Sequence, residues 1–129
     1  MNTIIRHQGI RVEDANASYL LNDTITGHGQ VGSPVSLDPA ANFTVGLSPD
    51  GADILGALES FENRSQEGYN LGAVAPTMYT TFAYDGVAPV IGQYVVGAGA
   101  GKVKGSVDRS RALVEAVDTT EKMVSVTFM

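Results

Sequence analysis

Apolar positions along this chain fall into short runs separated by glycine, proline and polar turns, and that rhythm predicts strands rather than helices. The stretch from Val90 shows it most clearly. Val90-Ile91-Gly92-Gln93-Tyr94-Val95-Val96 leads into Gly97-Ala98-Gly99-Ala100-Gly101 and then Lys102-Val103-Lys104. Arg111-Ala112-Leu113-Val114-Glu115-Ala116-Val117 follows, then a polar turn and Met123-Val124-Ser125-Val126-Thr127-Phe128-Met129. Glycine opposes helices through backbone entropy, and proline through its missing N–H and the clash of its ring. Pro34, Pro39, Pro49, Pro76 and Pro89 all occupy the central stretch, so only the windows 10–26, 57–67 and 106–129 are long enough for a helix. The last window ends in the alternating, β-branched residues 124–128, which read as a strand. Residues 110–117 read two ways. Leu113, Val114 and Val117 would form a helical stripe, whereas Ala112, Val114 and Ala116 alternate as a strand does; the β pattern on both sides favours the strand.

Further strands are predicted over 19–26, 35–37, 43–47, 54–61, 69–75 and 78–84. Pro49-Asp50-Gly51 and Asp85-Gly86 mark turns between them. A turn every ~8–12 residues points to an all-β fold, a small β-barrel or β-sandwich of short strands. Residues 1–17 are polar and lack a clear period, which suggests an extended N-terminal arm ahead of a single β domain over 18–129.

The chain has 129 residues, a length suited to one domain with one real core. Its hydrophobic content of 43% and charged content of 17% suit a globular protein and a weakly charged surface that meets other protein. The net charge of −6 and the presence of only three lysines argue against a nucleic-acid partner. Lys102, Lys104, Arg109 and Arg111 do lie close in sequence; they read as a solvated hairpin or a protein-docking patch. Without cysteine there is no disulfide framework, zinc finger or thiol nucleophile. No apolar run approaches the ~18 residues that a membrane span needs. The first residues do not resemble a signal peptide, so the four Asn-x-Ser/Thr sequons carry little weight and folding in a cytosol is expected.

Candidate chemistry is sparse. The tract Gly97–Gly101 ahead of Lys102 fails as a phosphate loop, because Val96 and Val103 stand where glycine and a hydroxyl residue are required. His7 and His28 have no metal-ligand spacing between them. The close carboxylate pairs Glu59/Glu62 and Asp50/Asp53 read as a polar rim, and no Gly-x-Ser-x-Gly nucleophile turn occurs. Tyr69, Tyr79, Tyr84, Tyr94, Phe61 and Phe82 read as core and interface anchors more readily than as a sugar-stacking face. No cofactor and no enzymatic activity are expected.

One resemblance goes further than these readings. Val31-Gly32-Ser33-Pro34-Val35-Ser36-Leu37, Ile54-Leu55-Gly56-Ala57-Leu58-Glu59, the 90–96 strand, the Gly101-Lys102-Val103-Lys104 hairpin, the Ala-x-Val-x-Ala strand from Ala112 and the closing Val-x-Val strand form a cadence over roughly the last hundred residues. That cadence resembles the small capsid cement, or head decoration, proteins of tailed bacteriophages. The segment 63–75 is longer and more polar than the cadence, and the first thirty residues have no counterpart in it.

The resemblance implies a non-enzymatic protein, made in the bacterial host cytoplasm, that binds the outer surface of the assembled head. There it would bridge neighbouring major capsid subunits and stabilise the shell. It implies self-association, with a trimer favoured over a dimer, and neither nucleic acid nor membrane as partner. The residues expected to make contacts are Thr3, Ile4, Ile5, Arg6, Ile10 and Val12 in the arm, the aromatics Tyr69, Tyr79 and Phe82, and Arg109 and Arg111 as charge-assisted docking groups. Another virion or surface β module, such as a fibre, tail or carbohydrate-binding domain, is the alternative expectation.

Overall fold

The structure is a computed structural model that describes residues 17–75 and 80–128. Eleven strands run through them: β1 (Ala17–Leu21), β2 (Pro34–Leu37), β3 (Thr44–Leu47), β4 (Gly56–Leu58), β5 (Glu62–Arg64), β6 (Tyr69–Ala75), β7 (Thr80–Ala83), β8 (Tyr94–Gly99), β9 (Lys102–Ser106), β10 (Ala112–Asp118) and β11 (Met123–Phe128). The fold is all-β. Its helical content among the described residues is two single 3-10 turns, His28–Gln30 and Ser65–Glu67. The ambiguous segment 110–117 is strand: β10 pairs with β11 along its length, Val114 facing Val126.

The first sheet follows the order β1-β3-β2-β4-β6-β5, and β1 also pairs with β6, so five strands close into a barrel with β5 attached outside the ring. All of its pairings are antiparallel except β1 with β3. Val35, Val45, Leu58 and Val74 point inward to a core completed by Ile25 and Phe61. The second sheet has the order β7-β11-β10-β8-β9. It curls until Tyr84 bridges to Val103, where the Asp85 N–H donates to the Val103 carbonyl at 2.9 Å. Its core contains Phe82, Val95, Val114, Val124, Val126 and Phe128, with the Phe82 and Phe128 rings edge to face at 6.1 Å.

The two cores share one wall. Ile54 and Ala57 belong to the second core, whereas Leu58 belongs to the first and Leu55 packs against it. Ile54 and Leu55 split between the two cores, as do Ala57 and Leu58, and the sides exchange across Gly56, so each core receives one apolar side chain before that glycine and one after it. That is why 54–58 is a continuous apolar run rather than an alternating one: both of its faces are covered.

Close backbone contact holds the sheets together beside this wall. The Gly97 N–H donates to the Ala52 carbonyl at 2.8 Å, and the Gly51 N–H donates to the Gly97 carbonyl at 2.8 Å. A Cβ on Gly97 would lie 2.5 Å from the Pro49 carbonyl oxygen and 2.6 Å from the Ser48 Cβ. The glycine tract is therefore a seam followed by a turn. Ala100 and Gly101 both take positive φ (56° and 78°), which suits the tight hairpin between β8 and β9.

Two glycine substitutions separate seam from surface. Gly97→Ala should lower stability in urea unfolding by about 1–3 kcal/mol, because rigid backbone atoms leave the new methyl no room. Gly29→Ala, where nothing lies within 4 Å, should stay within ~0.5 kcal/mol of the parent. Equal effects at the two positions would contradict the seam.

Candidate docking surface

The expected contact residues have different fates. Thr3, Ile4, Ile5, Arg6, Ile10, Val12 and Tyr79 lie outside the described residues. Phe82 is corrected from surface anchor to core residue: only 1% of it is exposed, in the core of the second sheet. The strand alternation that seats Val124 and Val126 inward seats Phe82 beside them, since Phe82 pairs with Val124 across β7 and β11. Tyr69 is exposed at the start of β6, and Arg109 is exposed in the loop between β9 and β10.

Arg111 is corrected as well, from an outward docking group to an internal clasp. Its guanidinium donates to the carbonyls of Ile54 (3.2 Å) and Leu55, and stands 5.6 Å from the centre of the Phe128 ring. Its backbone N–H donates to Asp53 Oδ1 at 3.1 Å, an oxygen that also accepts the Ile54 N–H. One arginine thus satisfies two carbonyls of the shared wall and pins that wall to the first residue of the β10 side. Lys104 crosses the same boundary to Asp50 at 2.6 Å. The cation cluster read from the sequence is therefore divided. Lys104 and Arg111 join the two sheets, while Lys102 and Arg109 face solvent.

Apolar exposure is concentrated in loops. Phe43 is 79% exposed and its backbone φ is +54°, a left-handed conformation that opposes a bulky side chain. The neighbouring geometry holds it there. The Leu20 N–H donates to the Phe43 carbonyl at 2.8 Å, and Thr44 Oγ1 donates to the Asn42 carbonyl at 2.9 Å. Exposed Leu20 and Leu37 lie on the strands flanking this tip. Asp38 shapes the turn before it, accepting the Ala40 N–H at 2.9 Å and the Asn22 amide at 3.1 Å. Those two donors, the Ala40 N–H first, hold the Asp38 carboxyl below its ordinary pKa.

A second exposed apolar group stands on the other sheet. Val87, Val90 and Ile91 project from the loop between β7 and β8, and Val107, 99% exposed, follows β9. Ser106 pairs with Tyr94, so Val107 leaves the sheet at the end where this loop enters β8. Gln93 anchors the loop by accepting the Val90 N–H at 2.9 Å.

Sequence reasoning placed Phe43, Val90 and Ile91 in strands, whereas the structure places all three in loops. The available signals were local. Phe43 directly follows the turn segment Asp38-Pro39-Ala40-Ala41-Asn42, and Gly92, whose φ is +89°, stops the strand from extending back to Val90. Among the described residues no group of three or more His, Asp and Glu side chains could hold a metal ion, and no helix is long and apolar enough to cross a membrane. The chain matches no protein-family model and no curated protein sequence.

Arg111→Ala should cost about 2–3 kcal/mol in chemical unfolding, since it strips a charged donor from buried carbonyls. Arg111→Lys should recover only part of this, because a point-like ammonium cannot serve two carbonyls and stack on Phe128. The Asp38 turn makes a separate, pH-dependent prediction. A lowered carboxyl pKa contributes stability above the ordinary aspartate value of ~3.9 and loses it as pH falls through the lowered one. The difference in thermal midpoint between the parent and Asp38→Asn should therefore be constant near neutrality and shrink on acidification below ~4. A gap that widened on acidification would contradict the assignment.

Proposed function

We propose that this chain is a non-enzymatic cement protein of a tailed-phage head, working by surface contact alone. It binds the outside of the assembled shell and bridges neighbouring major capsid subunits. Phe43 is the observation that carries this reading. A large aromatic held almost fully in solvent, on a backbone that disfavours it, costs the isolated chain free energy, and strain of this kind collects at functional sites. Burial against a partner would recover the apolar contribution, about 1.5–3 kcal/mol for a side chain of this size.

Val87, Val90, Ile91 and Val107 support the reading as a second anchor group on the other sheet. A chain that touches the shell through two separated apolar tips can bridge two subunits. Repetition of a modest contact over a lattice then makes the total large. The low lysine content and the net charge of −6 suit a protein partner rather than packaged nucleic acid. A trimer would match the local threefold positions of a capsid lattice.

The test is co-sedimentation with expanded, undecorated heads of the cognate phage, with unexpanded heads as control. The parent should bind expanded heads at a fixed number of copies per subunit. Phe43→Gly is the diagnostic variant, because glycine accepts the φ of +54° freely. It should unfold at the same or a higher temperature than the parent and yet bind heads roughly ten- to a hundred-fold more weakly. Failure of the parent to sediment with expanded heads at micromolar concentration would overturn the proposal. Unchanged binding by Phe43→Gly would remove Phe43 from it.

A further inference from the structure

An open cleft in the described residues lies on the first barrel, lined by neither Phe43 nor the 87–91 loop. Its volume is about 550 Å³, within the range of small-ligand sites, and it opens between the end of β1 and the β5–β6 hairpin. Ile25 and Phe61, both core residues, form its apolar floor, and Asn63, Asn70, Asp23 and Tyr69 are among its walls. The Phe61 and His28 rings pack edge to face, their centres 5.3 Å apart.

Asn63 and Asn70 face each other directly across β5 and β6, and such cross-strand partners have Cβ atoms about 4.5–5.5 Å apart on one face. Their amide oxygens are both occupied. Asn63 Oδ1 accepts the Ser65 N–H at 2.9 Å, and Asn70 Oδ1 accepts the Arg64 N–H at 2.9 Å. The oxygen positions settle which way each amide is turned, so both Nδ2 groups remain as donors. Among the described residues no acceptor engages either of them. Asn22, in the same cleft, is different: its oxygen accepts from Thr24 and its nitrogen donates to Asp38, which leaves it as a bracket.

Charge narrows the ligand. Arg64, the cation nearest this hairpin, is engaged by Glu62 at 2.6 Å and Glu67 at 3.3 Å. The cleft walls therefore present fixed neutral donors and a single carboxylate, Asp23, over an apolar floor. A phosphate or another anion finds no cation there, and a bare cation finds one carboxylate. A polyhydroxylated ring has the matching features: a C–H face for the exposed Tyr69 ring, hydroxyl oxygens to accept from paired amides, and hydroxyl protons for Asp23. Phe61, largely buried, closes the floor beneath.

We infer that this cleft binds a neutral saccharide, with Asn63 and Asn70 as a paired donor clamp and the exposed Tyr69 ring as the stacking face. The inference is independent of the shell-binding proposal, since it uses neither Phe43 nor the 87–91 loop. A glycan of the host surface and a free oligosaccharide share this chemistry.

The test titrates the full chain with neutral trisaccharides of glucose, mannose, galactose and N-acetylglucosamine, following the side-chain amide resonances of Asn63 and Asn70 by NMR. At least one sugar should shift both amides with millimolar or better affinity. Asn63→Asp and Asn70→Asp keep the oxygen that the backbone needs and delete the donors. Each should weaken binding roughly five- to ten-fold while leaving the thermal midpoint close to the parent's. Glycosylated host envelope in place of free sugar distinguishes the two ligand sources. Silence of both amides toward every sugar would overturn the inference, as would binding unchanged in the two variants.

Discussion

The segment from Ile54 to Leu58 must be apolar on both faces, and the rest of the architecture depends on that constraint. Ile54 and Ala57 fill one core while Leu55 and Leu58 serve the other. A strand in this position cannot turn a polar face to water, so its free backbone groups must be satisfied from the side. Arg111 does this for the Ile54 and Leu55 carbonyls, and Asp53 does it for the Ile54 and Arg111 N–H groups. Gly97 lets the second sheet approach closely enough for these contacts to form. Wall, clasp and glycine are thus one device, and loosening any of them exposes the other two to water.

The strands with apolar alternation were legible in the sequence, and so was the all-β class. Residues 102–104 and 123–128 carry a period of two that survives into β9 and β11, whereas in β10 a bulge between Val114 and Ala116 breaks it, leaving Ala116 exposed and Val117 against the core. β5 was not legible, because Glu62-Asn63-Arg64 has no apolar side chain and is held by its pairing to β6 instead. The closure of the barrel was also invisible. The parallel pairing of β1 with β3 joins residues that no local pattern connects.

The surface was less legible than the core for the same physical reason. Hydrophobicity predicts burial only on average, and Phe43, Val90 and Ile91 are exceptions imposed by backbone geometry at a turn. Arg111 misled in the opposite direction. A cation near other cations reads as solvated, yet this one finds carbonyl oxygens supplied by a segment more than fifty residues away in sequence. The cleft between β1 and the β5–β6 hairpin was likewise hidden, since its paired asparagines become neighbours only through the hairpin register.

The way the two sheets are joined has a bearing on the medium this chain tolerates. Backbone hydrogen bonds at Gly97, apolar side chains at the wall and a guanidinium turned onto carbonyls carry the junction. The ion pair of Lys104 with Asp50 also crosses it, and both side chains of that pair are substantially exposed. Dissolved salt screens exposed charges over a Debye length of about 8 Å at physiological strength, but it has little purchase on dipoles and apolar contacts inside a fold. Ionic strength is therefore a weak lever on this junction, and the chain can pass between dilute and concentrated surroundings without its two sheets working loose.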